Sequence, residues 1–322
     1  MKIRLGYVAI SLTLNITASK TITYTNYLKA TSKLDILDNI INQNFNNLRQ
    51  ILLYNFKNGI HFYRMSHNII PLATHPNVDF DYITPYKDKW ENIGNIIKLY
   101  NIRVDTHPDQ FCVLNSMNKS IVKNSIDILK FHQKIFEAMK IDGKAILHIG
   151  GSYNDKEASI KRFINNFKKL DKALQDIIIL ENDDKVYNIK DTLYICETLK
   201  IPMCLDYHHY KCNNENEDIN DYLPRILDTW NNQKLNPKMH FSSPKSKKEY
   251  RSHSTYINSD DFIEFLEILK PYNRDIDVML ECKGKDEALF RLVRELKAKT
   301  NYCFFNETTI EIKKCKISKK TK

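Results

Sequence analysis

Residues 176–182, DIIILEN, form a short apolar run that closes on a carboxylate and an amide. Such a run reads as a strand buried on both faces, the kind found in parallel sheets covered by helices. Seven more runs of the same type occur along the chain. They are IRLGYVA (3–9), IHFYRMS (60–66), IRVDTH (102–107), KAILHIG (144–150), IPMCLD (201–206), PKMHFS (237–242) and IDVMLEC (276–282). Longer amphipathic stretches separate them. In KLDILDNIINQNFNNLRQILLYNF (33–56), Leu34, Leu37, Ile41, Phe45, Leu48 and Leu52 recur at helical spacing. SIVKNSIDILKFHQKIFEAM (120–139), DDFIEFLEILKPY (260–272) and DEALFRLVRELKAK (286–299) repeat the pattern. Eight strand–helix units predict a closed (β/α)8 barrel. Neither a Gly-rich dinucleotide turn nor a P-loop is present, which argues against a doubly wound nucleotide-binding fold and against a nucleotide cofactor.

The 322 residues fit one such barrel over residues 1–300, with a lysine-rich extension at 301–322 expected to be mobile. No apolar run reaches the roughly 20 residues of a membrane span. The opening MKIRLGYVAISLTLN reads as a first strand, not a signal peptide. Seven scattered cysteines without a C-x-x-C pair imply neither a disulfide framework nor a zinc ribbon, so a reducing cytoplasm is expected. The formal charge of +10, partly from six lysines in the last twelve residues, is compatible with a nucleic-acid partner.

In barrels of this kind, chemistry gathers at the carboxyl ends of the strands. His107, His148, Glu181, Asp206, Lys238, His240 and Glu281 all stand at or near those ends, and His209 follows Asp206 by three. His75 (PLATHP) and His253 (YRSHSTY) lie in loops that would overhang the same rim. A single strand-end histidine is ordinarily a hydrogen-bonded rim residue. A ring of buried acids and imidazoles is another matter, because without partners each costs several kcal/mol. Shared cations resolve that cost, and the mixture of nitrogen and oxygen donors suits Zn²⁺, Mn²⁺ or Fe²⁺. The number of candidate ligands exceeds one coordination sphere and points to two or three ions. His61, His132 and His208 are read as structural, and His67 as a loop residue.

The motifs PLATHP, THPDQF, LHIGGSY, LENDD, LDYHH, KMHFSSPKS…RSH and VMLECKGKD, in this order, resemble those of bacterial UV damage endonucleases. The resemblance spans about residues 3–295. It implies a TIM-barrel repair nuclease related to endonuclease IV. Such an enzyme cuts damaged duplex DNA immediately 5′ of pyrimidine dimers, 6–4 photoproducts and some other lesions. Its cofactor would be a cluster of divalent ions, manganese foremost and Zn²⁺, Mg²⁺ or Co²⁺ as alternatives. Carried onto this chain, the metal ligands fall on His107, His148, Glu181, Asp206, His209, His240, His253 and Glu281. Glu181 would bridge. Asp206, His240 and Glu281 would hold one ion, His107 and His148 a second, His209 and His253 a third. His75 matches a site histidine that would bind or orient the scissile phosphate. Lys238, two residues before His240, should share its face; the matching family lysine is carboxylated, which would make Lys238 an anionic ligand. Gln110 and Phe111 match the pair that enters the duplex beside the lesion, Phe111 standing where many relatives have tyrosine. Tyr7 matches an aromatic of the first strand, whereas a neighbouring asparagine has no counterpart here. A monomer acting on DNA in the cytoplasm is expected.

Three other readings compete. A single-metal sugar isomerase or epimerase would use Glu181, Asp206, His240 and Glu281 and leave the other histidines unexplained. A general abasic-site endonuclease would use them all. A barrel that binds DNA without cutting it would be expected to have lost ligands, and none is missing.

Overall fold

The computed structural model describes residues 1–312. The run of lysines beyond them, within the extension expected to be mobile, lies outside the described residues. Eight parallel strands appear where the eight apolar runs stand: β1 (Lys2–Val8), β2 (Phe62–Met65), β3 (Arg103–Thr106), β4 (Ala145–Leu147), β5 (Ile178–Glu181), β6 (Met203–Asp206), β7 (Lys238–Phe241) and β8 (Ile276–Leu280). They pair in chain order, and β1 pairs with β8, so the sheet is a closed (β/α)8 barrel. Closure runs through Ile3–Gly6 against Ile276–Met279. Buried strand residues alternate between the barrel interior and the helix layer, which is why the runs are apolar almost without break.

Eight principal helices cover the barrel: α1 (Lys33–Lys57), α2 (Lys87–Leu99), α3 (Lys119–Met139), α4 (Lys156–Phe167), α5 (Ile189–Leu199), α6 (Ile219–Asp228), α7 (Ser259–Leu269) and α8 (Lys285–Lys299). Most of them start on a short polar side chain, though α2 and α8 do not. Ser32, Asn118, Asp155 and Asn258 each accept a backbone N–H of the first turn. In α1 the periodic residues from Leu37 to Leu52 are buried, but Leu34 is 69% exposed. It occupies the first turn, which projects beyond the barrel surface before the helix docks. Helices α2 and α3 approach so closely that a Cβ on Gly94 would collide with the Met139 carbonyl.

The domain boundary expected at residue 300 needs correction. Strands β9 (Cys303–Phe304) and β10 (Thr309–Glu311) form an antiparallel hairpin, and β10 pairs with Lys2–Arg4 of β1. β1 meets β2 only through Tyr7 and Val8, so its first half presents an edge, and the hairpin covers it. Ile310 and Ile312 are buried in the main core. Residues up to 312 therefore complete the barrel floor. No helix of the described residues is long and apolar enough to cross a membrane.

Candidate metal centre

Glu181, the last residue of β5, is the hub. Its carboxylate is buried, and four imidazoles converge on it. Oε2 faces His107 Nε2 at 3.3 Å and His148 Nε2 at 3.7 Å. Oε1 faces His240 Nδ1 at 2.8 Å and His209 Nδ1 at 3.5 Å. Asp206, ending β6, brings Oδ2 to 3.7 Å from His209 Nδ1, and Glu281, just beyond β8, brings Oε1 to 3.1 Å from His240 Nδ1. Three ligand groups result, each compact enough for a cation: His107–His148–Glu181, Glu181–His240–Glu281 and Glu181–Asp206–His209. Glu181 belongs to all three. His253 reaches the edge of the cluster, with Nδ1 3.9 Å from Glu281 Oε2.

The donor set fits divalent ions. Asp206 Oδ2, on the cluster side of the strand end, is buried with no hydrogen-bond partner, a costly arrangement for a protein interior unless a ligand or cation satisfies it. His107 Nδ1 lies 2.9 Å from the Pro108 carbonyl, which fixes the ring with Nε2 aimed at Glu181. The electrostatics agree. Burial works against ionisation of Glu181, yet the imidazoles of His240 and His148 and the hydrogen bonds from His107 and His240 hold its carboxyl well below the usual range. Glu281 is likewise held down, burial being outweighed by Arg64 and His240. Asp206 is pushed up to about 6, chiefly by burial. His209 is raised to about 9 by Asp206, Glu181 and Glu281 against the effect of burial. Burial lowers His148 and His240. Glu181 and Glu281 are thus held in the charged state that ligates metals.

A groove of about 700 Å³ opens over this cluster, lined in part by His107, Gln110, His148, His209, Arg251 and His253. Gln110 lines it and Phe111 follows in the same turn, which the Asp109 carboxylate fixes by accepting the Phe111 N–H at 2.9 Å. Phe111 is 72% exposed, unlike any ring that packs in a core.

Tyr7, Lys238 and Asp206 sit differently from expectation, and His75, expected at the phosphate and not as a ligand, lies apart from the cluster. Tyr7 does not face the groove: it is fully buried, its hydroxyl donates to Asn55 of α1 at 2.8 Å, and its ring packs on Tyr63. It belongs to the strand–helix interface because odd positions at the end of β1 point outward. His75 stays outside the three ligand groups; its ring stacks on Tyr24 at 4.1 Å and its Nδ1 accepts the Asn77 N–H. Lys238 shares the face of His240, but its ammonium lies deeper in the barrel, 3.2 Å from Asp105. Asp206 groups with His209 more closely than with His240, from which it is 4.0 Å away. Conversely, Arg64 of β2 was not anticipated and pairs directly with Glu281. A single arginine inside the apolar run IHFYRMS was the available signal. Asp184, paired with Arg251 at 2.6 Å, was also missed.

Fold and rim together define a TIM-barrel protein with a cluster of histidines and carboxylates that could hold metal ions. The sequence comparisons narrow the class. A profile of the UV-endonuclease UvdE family matches residues 3–311. UV DNA damage endonuclease of Bacillus cereus strain B4264 is 41% identical over 303 residues, covering 92% of this chain and 96% of the relative. The protein of the same name from B. cereus strain ATCC 10987 is 39% identical over 316 residues, 97% of this chain and the whole of the relative. The crystal structure of SacUVDE superposes with a TM-score of 0.84 at 35% identity, covering 92% of this chain and 98% of that one. Endonuclease IV from Thermus thermophilus shares the fold alone, at a TM-score of 0.55 and 10% identity, over 92% of this chain and 98% of its own. The chain belongs to the UV-endonuclease family. It is accordingly a DNA endonuclease of UV-damage repair.

Proposed function

We propose that the chain hydrolyses the phosphodiester immediately 5′ of pyrimidine dimers, 6–4 photoproducts and abasic sites in duplex DNA, acting as a monomer in the cytoplasm with two or three divalent ions, Mn²⁺ foremost. One observation carries this reading: Glu181 is common to three ligand groups, an arrangement that a single ion does not need. His107, His148, Glu181, Asp206, His209, His240, His253 and Glu281 would hold the ions. The ions would polarise the phosphate, supply a nucleophile at neutral pH and stabilise the leaving oxygen. The protein's own part is positional. Glu181 keeps the groups together, and Arg64 holds the Glu281 carboxylate in place. His75, stacked beside the groove, is proposed to orient the phosphate, and Phe111 with Gln110 to enter the duplex where a lesion has weakened stacking. Tyr7 has no place in that contact. Lys238 is proposed to act as an ammonium paired with Asp105, not as a carboxylated ligand.

The test is an incision assay with Mn²⁺ on duplexes carrying one dimer, one abasic site or no lesion, with the nick mapped at nucleotide resolution. Cutting 5′ of the dimer supports the proposal. Cutting at the abasic site alone would favour the general abasic-site nuclease, and no cutting with any divalent ion would favour a binding protein.

A further inference from the structure

Adjacent histidines on a helix point roughly 100° apart, and the pair His208–His209 uses both directions. Asp206 caps the short helix Tyr207–Cys212 by accepting the His209 N–H at 2.7 Å, which fixes the rotation of that helix. His209 therefore turns toward Glu181 and Asp206. His208 turns the other way, into the loop that follows β7, and is buried there. Its Nε2 lies 3.6 Å from Cys212 Sγ, and it makes a hydrogen bond with the backbone of Arg251. Its ring meets His253 edge-on, with centroids 5.6 Å apart, and Tyr250 at 5.7 Å.

His253 needs such a wall. No hydrogen bond from its own ring fixes it among the described residues, and its Nδ1 stands 3.9 Å from Glu281. Its backbone is tied to Pro244 by an isolated bridge, and the next residue bonds to the Ser243 carbonyl at 2.8 Å. These ties set the height of the loop but leave the imidazole free to rotate about its own side-chain bonds. Two rings close off that rotation: His209 at 6.2 Å on the cluster side and His208 edge-on from behind. Arg251, clamped to Asp184 across the groove, anchors the same loop from above.

We infer that His208 is a positioning residue, which holds the Tyr250–His253 segment so that His253 can join His209 and Asp206 around one divalent ion. The inference rests on the proposed multi-ion centre and adds to it a residue that is not itself a ligand. Removal of a group that orients a metal ligand typically weakens metal affinity 10- to 100-fold. Here the loss should be confined to one ion, because His107, His148 and the Glu181–His240–Glu281 group have no contact with His208.

The experiment is an equilibrium titration of metal-stripped full-length protein with Mn²⁺ alone, followed by calorimetry and by electron paramagnetic resonance. Wild type is compared with His208→Leu and with His208→Asn, which retains a short hydrogen-bond donor. The expected result for His208→Leu is one ion bound about 10- to 100-fold more weakly, the others unchanged, with much of the affinity restored in His208→Asn. A His208→Leu isotherm that superposes on wild type overturns the inference. So does equal weakening of every ion, or a metal-free melting temperature that collapses in both variants, since either marks a general structural role. Should wild type itself take up no more than one ion, the multi-ion reading fails, and that failure is visible before any variant is made.

Discussion

Lys238 and Asp105 form an ion pair at 3.2 Å in the interior of the barrel, both side chains shut off from solvent. Burial lowers the lysine pKa and Asp105 works against that shift. Asp105 in turn stays ionised despite burial because Arg103 and Lys238 flank it. Carboxylation of Lys238 would set two anions against each other, where a buried charge without its partner is strongly unfavourable. Intact-protein and peptide mass spectra are therefore expected to show Lys238 unmodified in wild type. A carboxyl adduct on Lys238, retained under mild acid-free handling, would show that Asp105 does not hold the ammonium.

Phe111 is exposed and makes no core contact, so Phe111→Ala should leave the melting temperature unchanged. Base stacking on an aromatic ring is worth about 1–3 kcal/mol, so the variant should bind a dimer-containing duplex roughly tenfold more weakly while its affinity for undamaged duplex hardly moves. Competition binding in the absence of divalent ions reads both quantities. Equal losses on the two duplexes would assign Phe111 to general DNA contact.

His132 gives a pH prediction. It sits in α3, fully buried, with neither ring nitrogen partnered, and burial lowers its pKa from 6.5 to about 3. A depressed imidazole pKa means that the folded state resists protonation while the unfolded chain accepts it. The related stability is complete above pH 6.5 and is lost as pH falls from 6.5 toward 3. Between pH 7 and pH 5 the cost is about 2 kcal/mol. His132→Leu should flatten the acid limb of a denaturant-midpoint profile by that amount, and an unchanged profile would mean that the ring has a partner in solution.

Ile310 tests the corrected boundary. Buried in the core from β10, it should cost roughly 2–4 kcal/mol when replaced by alanine. Were residues 301–312 a loose extension, urea unfolding of Ile310→Ala would match wild type.

The barrel was legible because each strand is buried on both faces, which turns strand order into a sequence of apolar runs that no helix imitates at that length. The cluster was legible for a related reason: ionisable groups ending apolar strands have few uses apart from a shared ligand. What stayed hidden depends on orientation. Tyr7 and Lys238 both occupy matching motif positions, yet one turns to Asn55 and the other sinks to Asp105. Spacing tells which face a residue shares and not how deep its end group reaches. Arg64 on β2 reaches Glu281 beyond β8 past the intervening β1, a contact set by closure and not by any local pattern. The hairpin at 303–311 was missed because its two short strands satisfy an edge that exists only once β1 has paired with β8.

The central claim is that Glu181 joins several ligand groups into one multi-ion centre, and counting ions tests it most directly. Mn²⁺ bound per chain should be measured by elemental analysis after equilibrium dialysis of active protein, alongside Glu181→Gln. The account predicts at least two ions in wild type, and in the variant a loss of ions together with an incision rate lower by on the order of 10³-fold. One ion or fewer in active wild-type protein, or full occupancy and full activity in Glu181→Gln, would contradict it.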